Sequence, residues 1–142
     1  MTINESQDRI IEEFTPLNDW FEKYEYLIKL AKTLEPLDEE FKTEENLISG
    51  CQSKVWLRAE MKGKQIRLTA DSDTIITKGI IALLLRVLNN QPPEDIININ
   101  LYFIDKIGLS SNLSPARANG VVSILKQIIF YAKKFSEDPL DN

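Results

Sequence analysis

Histidine is absent from this chain of 142 residues, and cysteine occurs once. Without imidazole there is no Ser-His or Cys-His arrangement, and the commonest general base and neutral metal ligand are missing. A single cysteine forms no disulfide within the chain and supplies neither a four-thiolate zinc site nor a cysteine-held cluster. Positive charge is scarce as well: 17 Lys and Arg stand against 22 Asp and Glu, giving a formal net charge of −5. That balance speaks against nucleic acid as a partner and against docking on an anionic membrane by charge. Long apolar runs are missing too, the longest being residues 80–85, far short of a bilayer span. The start, Met1-Thr2-Ile3-Asn4-Glu5-Ser6, lacks the basic-then-apolar layout of a signal peptide. Together these absences predict a protein of a reducing cytoplasm, where a lone thiol stays free.

What remains suits one domain over residues 1–142. With 43% apolar and 27% charged residues, the chain has the composition of an ordinary globular protein and the length to bury a core without staples. A first helix is predicted from about Asn4 or Ser6 to Phe14, ended by Thr15-Pro16, with residues 1–5 frayed. Asn18 is the expected N-cap of a second helix, whose stripe Trp20, Tyr24, Leu27, Ile28, Ala31 and Leu34 runs to a stop at Pro36. Residues 38–46 are acidic and aperiodic apart from Phe41, and read as a solvated loop.

From Ser53 the period becomes two. Val55, Leu57, Ala59 and Met61 alternate with Trp56, Arg58, Glu60 and Lys62; after a turn at Lys62-Gly63, Ile66, Leu68 and Ala70 alternate with polar neighbours. This predicts an antiparallel hairpin with one buried face, and residues 46–48 are a candidate short third strand. Asp71-Ser72-Asp73 is expected to open and cap the next helix, apolar on most sides and therefore central, with Gly79 packed against the sheet. Asn89-Asn90-Gln91-Pro92-Pro93 breaks the pattern, and periodicity does not decide between strand and helix over residues 94–107. Ser114-Pro115 reads as N-cap and first residue of a long last helix with Ala118, Val121, Val122, Leu125, Ile128, Ile129 and Ala132 buried. Residues 136–142 are expected to fray. The fold class is α+β: a small antiparallel sheet packed against helices.

Three residues carry candidate chemistry. Cys51 sits between Gly50, which permits positive φ, and polar Gln52 and Ser53, where a loop turns into a strand. The residues alone leave two readings, an inert structural thiol or a reactive one. Arg117 lies in the first turn of the last helix, where its charge opposes the helix dipole. It either holds an anionic group or hangs in water. Asp73 is explained by capping alone. With no histidine and no second thiol, hydrolysis and dithiol cycling lack their parts, but one accessible cysteine can still accept and pass on a group such as sulfane sulfur.

Gly50-Cys51-Gln52-Ser53-Lys54-Val55-Trp56 resembles the G-C-Q-S-x-V-W signature of the SufE family of sulfur acceptors. Trp20, Lys23-Tyr24 and Tyr26-Leu27-Ile28 are similar to that family's aromatic helix. Asp71-Ser72-Asp73 with Lys78-Gly79, and Leu113-Ser114-Pro115-Ala116-Arg117 with Asn119-Gly120, resemble two further segments in family order. Ala116 departs from a frequent serine. The resemblance implies the fold shared with the IscU-type cluster scaffold, with the residue matching Cys51 at a loop tip in an apolar pocket. It implies a cytoplasmic sulfur carrier rather than an enzyme, holding no cofactor or metal of its own. Its implied partners are a pyridoxal-phosphate cysteine desulfurase of the SufS type, which it stimulates, and a SufBCD-type scaffold that receives the sulfur. Gly50, Gln52, Asp73 and Arg117 are the implied supporting residues, and a weak homodimer is a further association it allows. The alternatives are a CsdE-type partner of a second desulfurase, an IscU-like scaffold, disfavoured by the single cysteine, and a free-standing thiol enzyme such as a peroxide-reducing one.

Overall fold

The structure, a computed structural model, describes residues 1–137. Helix α1 (Ile3–Phe14) starts earlier than its apolar stripe suggests. Thr2 Oγ1 accepts from the Glu5 amide and the Glu5 carboxylate accepts from the Thr2 amide, so a reciprocal cap holds the start expected to be frayed. In α2 (Trp20–Ala31) the cap is Asp19, which accepts from the Glu22 amide, while Glu22 reaches back to the amide of Asn18. The helix ends at Ala31, short of Pro36, because the amides of Lys32, Thr33 and Leu34 turn back three residues instead of four.

Strands β1 (Val55–Lys62) and β2 (Gln65–Ser72) form the predicted hairpin in register Val55 to Ser72 and Lys62 to Gln65, turning at Gly63 with φ +61°. Its inner face, Val55, Leu57, Ile66, Leu68 and Ala70, is buried. The candidate third strand is a single bridge, Leu47 to Trp56, with the Ile48 amide donating to the Val55 carbonyl. On the far side of β2 the Asn89 side-chain amide pairs with both the amide and the carbonyl of Leu68, and Gln91 bridges to Ile66.

Helix α3 (Ile75–Leu88) is the centre of the core, with Ile76, Ile80, Ile81, Leu83, Leu84, Val87 and Leu88 buried between β2 on one side and α1 and α2 on the other. Its Gly79 serves α2 and not the sheet: a Cβ there would lie 2.3 Å from the Leu27 carbonyl oxygen. The expected cap also differs. Asp71 and Ser72 are still strand, and Thr74 stands at the N-cap with its hydroxyl accepting from no helix amide.

The undecided stretch resolves into α4 (Pro93–Ile97) and α5 (Phe103–Lys106), then α6 (Leu109–Asn112). Buried Gln7 of α1 explains how this irregular backbone is satisfied, donating to the Asn100 carbonyl and accepting from the Phe103 amide. Helix α7 (Pro115–Glu137) packs on α4 and reaches β1. Its buried stripe is rotated from the expected one: Gly120, Val121, Ile124, Ile128 and Ala132 face inward, while Val122 is exposed. Ser136 and Glu137 are the last residues of this helix, and residues 138–142 of the stretch expected to fray lie outside the described residues. Among the described residues no helix is long and apolar enough to cross a membrane.

The contact at Gly79 is backbone against backbone and has no flexible neighbour to move aside. Gly79→Ala is expected to destabilise the fold by about 2 kcal/mol or more, outweighing alanine's helix preference. Urea unfolding of the two proteins checks this, and equal midpoints would contradict it.

Candidate functional site

The loop that carries Cys51 leaves and re-enters the sheet at a fixed base. On its entry side the Ile48 amide bonds the Val55 carbonyl at 2.8 Å. The exit side is clamped by the segment that follows β2. Asp73 Oδ1 accepts from the Lys54 amide at 3.1 Å, the Asp73 amide returns a bond to the Lys54 carbonyl at 3.2 Å, and Ser72 Oγ donates to that carbonyl at 2.8 Å. Ser53 and Thr74 join through their hydroxyls at 2.9 Å, and Thr74 donates to Thr77. The motif with the composition of a helix cap is therefore a clasp on the Cys51 loop. Pairing of Ser72 with Val55 keeps the chain extended there, which puts the Asp73 carboxylate beside Lys54 and not beneath α3.

Between these anchors the loop tip rests on α7. Gly50 has φ +88°, a conformation that favours glycine, and a Cβ on it would stand 2.7 Å from Ser123 Oγ, which would have to turn aside. Half-buried Cys51 points its sulfur at the helix and donates to the Gly120 carbonyl at 3.7 Å. Beside it lies a cavity of about 20 Å³ lined by Cys51, Gln52, Ser53, Val55, Thr77, Ile80, Ala116, Arg117, Gly120, Val121 and Ile124. Burial pushes the Cys51 thiol up from its ordinary pKa, so at neutral pH the seated sulfur is protonated.

The structure thus brings Cys51, Gln52 and Arg117 to one cavity and seats Gly50 next to them; Asp73 stays exposed, outside the cavity, and acts through Lys54. Ser114 caps α7 as expected, accepting from the Arg117 amide at 3.3 Å. Among the described residues no carboxylate forms an ion pair with Arg117.

A polar cluster next to the clasp goes beyond the sequence reading. Buried Asp71 lies 3.5 Å from Lys42 Nζ and 3.6 Å from Lys78 Nζ, and Lys42 sits over the Trp56 ring. Arg58 covers Phe41 at 4.1 Å. The acidic stretch is therefore pinned to the outer face of β1 through two short 3-10 turns, Glu39–Phe41 and Glu44–Asn46, with its glutamates still in solvent. Its one sequence signal is Phe41-Lys42, an aromatic and a cation inside an acidic run. Ser123 and Thr77 carry no signal at all, because hydroxyls at helix positions are ordinary. Among the described residues no group of three or more His, Cys, Asp or Glu is placed to hold a metal ion.

The chain is similar to known proteins in sequence and in fold. The SufE family model, described as an Fe-S metabolism associated domain, matches residues 8–132. An uncharacterized SufE-like protein of Rhizobium etli is 39% identical over 133 residues, covering 90% of each chain. An uncharacterized SufE-like protein of Synechocystis is 37% identical over 84% of this chain and 76% of its own length. SufE-like protein 1, chloroplastic/mitochondrial, of Arabidopsis thaliana is 41% identical over 82% of this chain, which spans only 32% of that relative. In fold, the solution structure of a hypothetical protein from Thermus thermophilus matches with a TM-score of 0.74 at 21% identity, over 91% of this chain and 94% of that one.

Because burial raises the folded thiol's pKa, folding favours the protonated form. The stabilising contribution is whole below the unfolded thiol's pKa and is lost as pH rises through the folded value. Iodoacetamide labelling of the native protein should therefore rise with pH along a curve centred above that of the urea-unfolded chain. Coincident curves would show the sulfur to be unshielded.

Proposed function

The chain belongs to the SufE family, whose domain is associated with Fe-S metabolism, and on that basis we propose a sulfur carrier working through Cys51. It takes persulfide sulfur from a SufS-type cysteine desulfurase, stimulates that enzyme, and delivers the sulfur in the cytoplasm to a SufBCD-type cluster-assembly scaffold. The observation that carries this reading is a protonated thiol at the tip of a glycine-hinged loop, beside a cavity of about 20 Å³. That space exceeds the 10–15 Å³ or so that holds one water, and so is of the order of one added sulfur atom.

The chemistry follows from the site. Away from α7 the Cys51 thiol regains solvent and ionises more readily. Its thiolate attacks the outer sulfur of the donor persulfide, the donor's S–S bond breaks, and the donor's inner sulfur leaves as a thiolate that takes up a proton. No electrons are gained or lost overall, and Cys51 ends as a persulfide. The chain needs no cofactor for this step; the pyridoxal phosphate belongs to the donor enzyme. Gly50 supplies the hinge. Asp73, holding the Lys54 backbone by one carboxylate bond and one main-chain bond, confines movement to the tip between Ser49 and Ser53. Gln52 and Arg117 line the same cavity, and the role assigned to Arg117 is to offset negative charge on the sulfur during transfer.

Incubation with desulfurase and cysteine should add the mass of one sulfur to the wild-type protein and none to Cys51→Ser. Transfer to that variant would sink the proposal. Running the reaction with a SufS-type and a CsdA-type enzyme decides between the two partners. Arg117→Ala should keep the wild-type melting temperature but accept sulfur roughly tenfold more slowly, the scale of one lost charge-assisted hydrogen bond. Unchanged rates would make Arg117 a solvent-facing residue without a part in transfer.

A further inference from the structure

Gly120 is a buried glycine six residues into a long helix, and nothing in the resting protein requires it to be one. It has no left-handed φ. A Cβ built on it meets only Cys51, at 3.7 Å from Sγ, 3.9 Å from Cα and 4.0 Å from Cβ, all ordinary van der Waals separations. The contrast with the other close glycines is plain. At Gly79 the added carbon would stand 2.3 Å from a backbone carbonyl, and at Gly50 it would meet Ser123 Oγ at 2.7 Å on a positive-φ residue. Alanine is thus compatible with the thiol state at position 120 and is the better helix former, yet glycine is present. What glycine leaves there is space, and the space is part of the small cavity beside the Cys51 sulfur.

We propose that Gly120 is a positioning residue for the loaded state: the missing side chain reserves room for the outer sulfur of a Cys51 persulfide, so the loop can reseat after transfer with that atom enclosed. The inference deepens the sulfur-carrier reading and rests on it for its biological meaning. Its physical content is separate, because it concerns only which form of the sulfur fits under α7. Val55, Ile80, Val121 and Ile124 supply apolar walls, and the Gly120 carbonyl, already facing Sγ at 3.7 Å, faces the same space. One extra carbon would leave the thiol's seat intact while filling the place of the next atom along. Alanine at 120 therefore separates the two states, which a general disruption of the loop would not do.

The test loads the sulfur chemically, so that it does not depend on any desulfurase. Cys51 is converted to its mixed disulfide with an aryl thiol and then treated with hydrosulfide. The sulfide attacks the Cys51 sulfur, the aryl thiolate leaves, and Cys51–S–SH results. Wild type and Gly120→Ala are compared in three measurements: melting temperature of the thiol form, iodoacetamide labelling rate of the thiol form, and rate of sulfur extraction from the persulfide by cyanide. The first two should be unchanged, or the melting temperature slightly raised. Extraction should be roughly tenfold faster in Gly120→Ala, within the range produced by overpacking a closed site with one carbon. Equal extraction rates would overturn the proposal. So would a lowered melting temperature or faster labelling of the thiol form, since either would mean that the resting state itself needs the glycine. A separate incubation with desulfurase and cysteine tells the two readings apart: no sulfur acceptance by wild type there, with the extraction difference intact, would refute the carrier function and leave the fit of the persulfide standing.

Discussion

The close seating of one loop tip on one helix governs the rest of the arrangement. Cys51 can be shielded only if Gly50 takes the left-handed turn that lays the loop tip on α7, and only if α7 is held at a constant height above the sheet. The height is set by the core: α7 rests its Val121, Ile124 and Ile128 face on the same cluster that contains Ile80 and Val55. The loop's position is set by the hairpin, whose Val55 to Ser72 pairing brings the Asp73 clasp to Lys54. Burial of a thiol in such a seat favours its neutral form. Shielding and reactivity are thus opposed, and a thiol seated this way has to leave its seat in order to react.

The hairpin and the central helix are legible in the sequence because their periods are strong. Alternation from Val55 to Ala70 fits little besides a half-buried strand pair, and near-continuous apolarity from Ile75 to Leu88 fits little besides a central helix. Ends are less legible. Asp71-Ser72-Asp73 has the composition of a helix cap, but the strand partner opposite it is worth more than the cap, and the helix starts later without one. Gly79 reads correctly as a packing glycine but points to the wrong neighbour, since sequence shows that something comes close without showing what. The short helices from Pro93 to Asn112 have too few turns to display a period, and one of their supports, Gln7, lies more than ninety positions away by sequence separation.

At the site, Cys51, Gln52 and Arg117 are legible as residues of interest because each is locally odd. The thiol is unique and polar-flanked, and the arginine stands at the wrong end of a helix dipole. Asp73 stands out for the wrong reason, its capping role being replaced by the clasp. Gly120 enters only as part of a motif, since a glycine's purpose depends on what faces it. Residues such as Ser123, Thr77 and Lys42 gain their roles solely from tertiary placement.

The Asn89 side chain has a consequence beyond finishing the fold. By pairing with both backbone groups of Leu68, and with Asn90 and Gln91 occupying Ile66, it leaves β2 no free ladder over that stretch. A two-stranded sheet would otherwise offer an incoming chain a template for strand addition, a route to both recruitment and aggregation. With that stretch of β2 covered, a visiting protein that meets this edge does so through side chains and loops, and can leave it without unzipping a sheet.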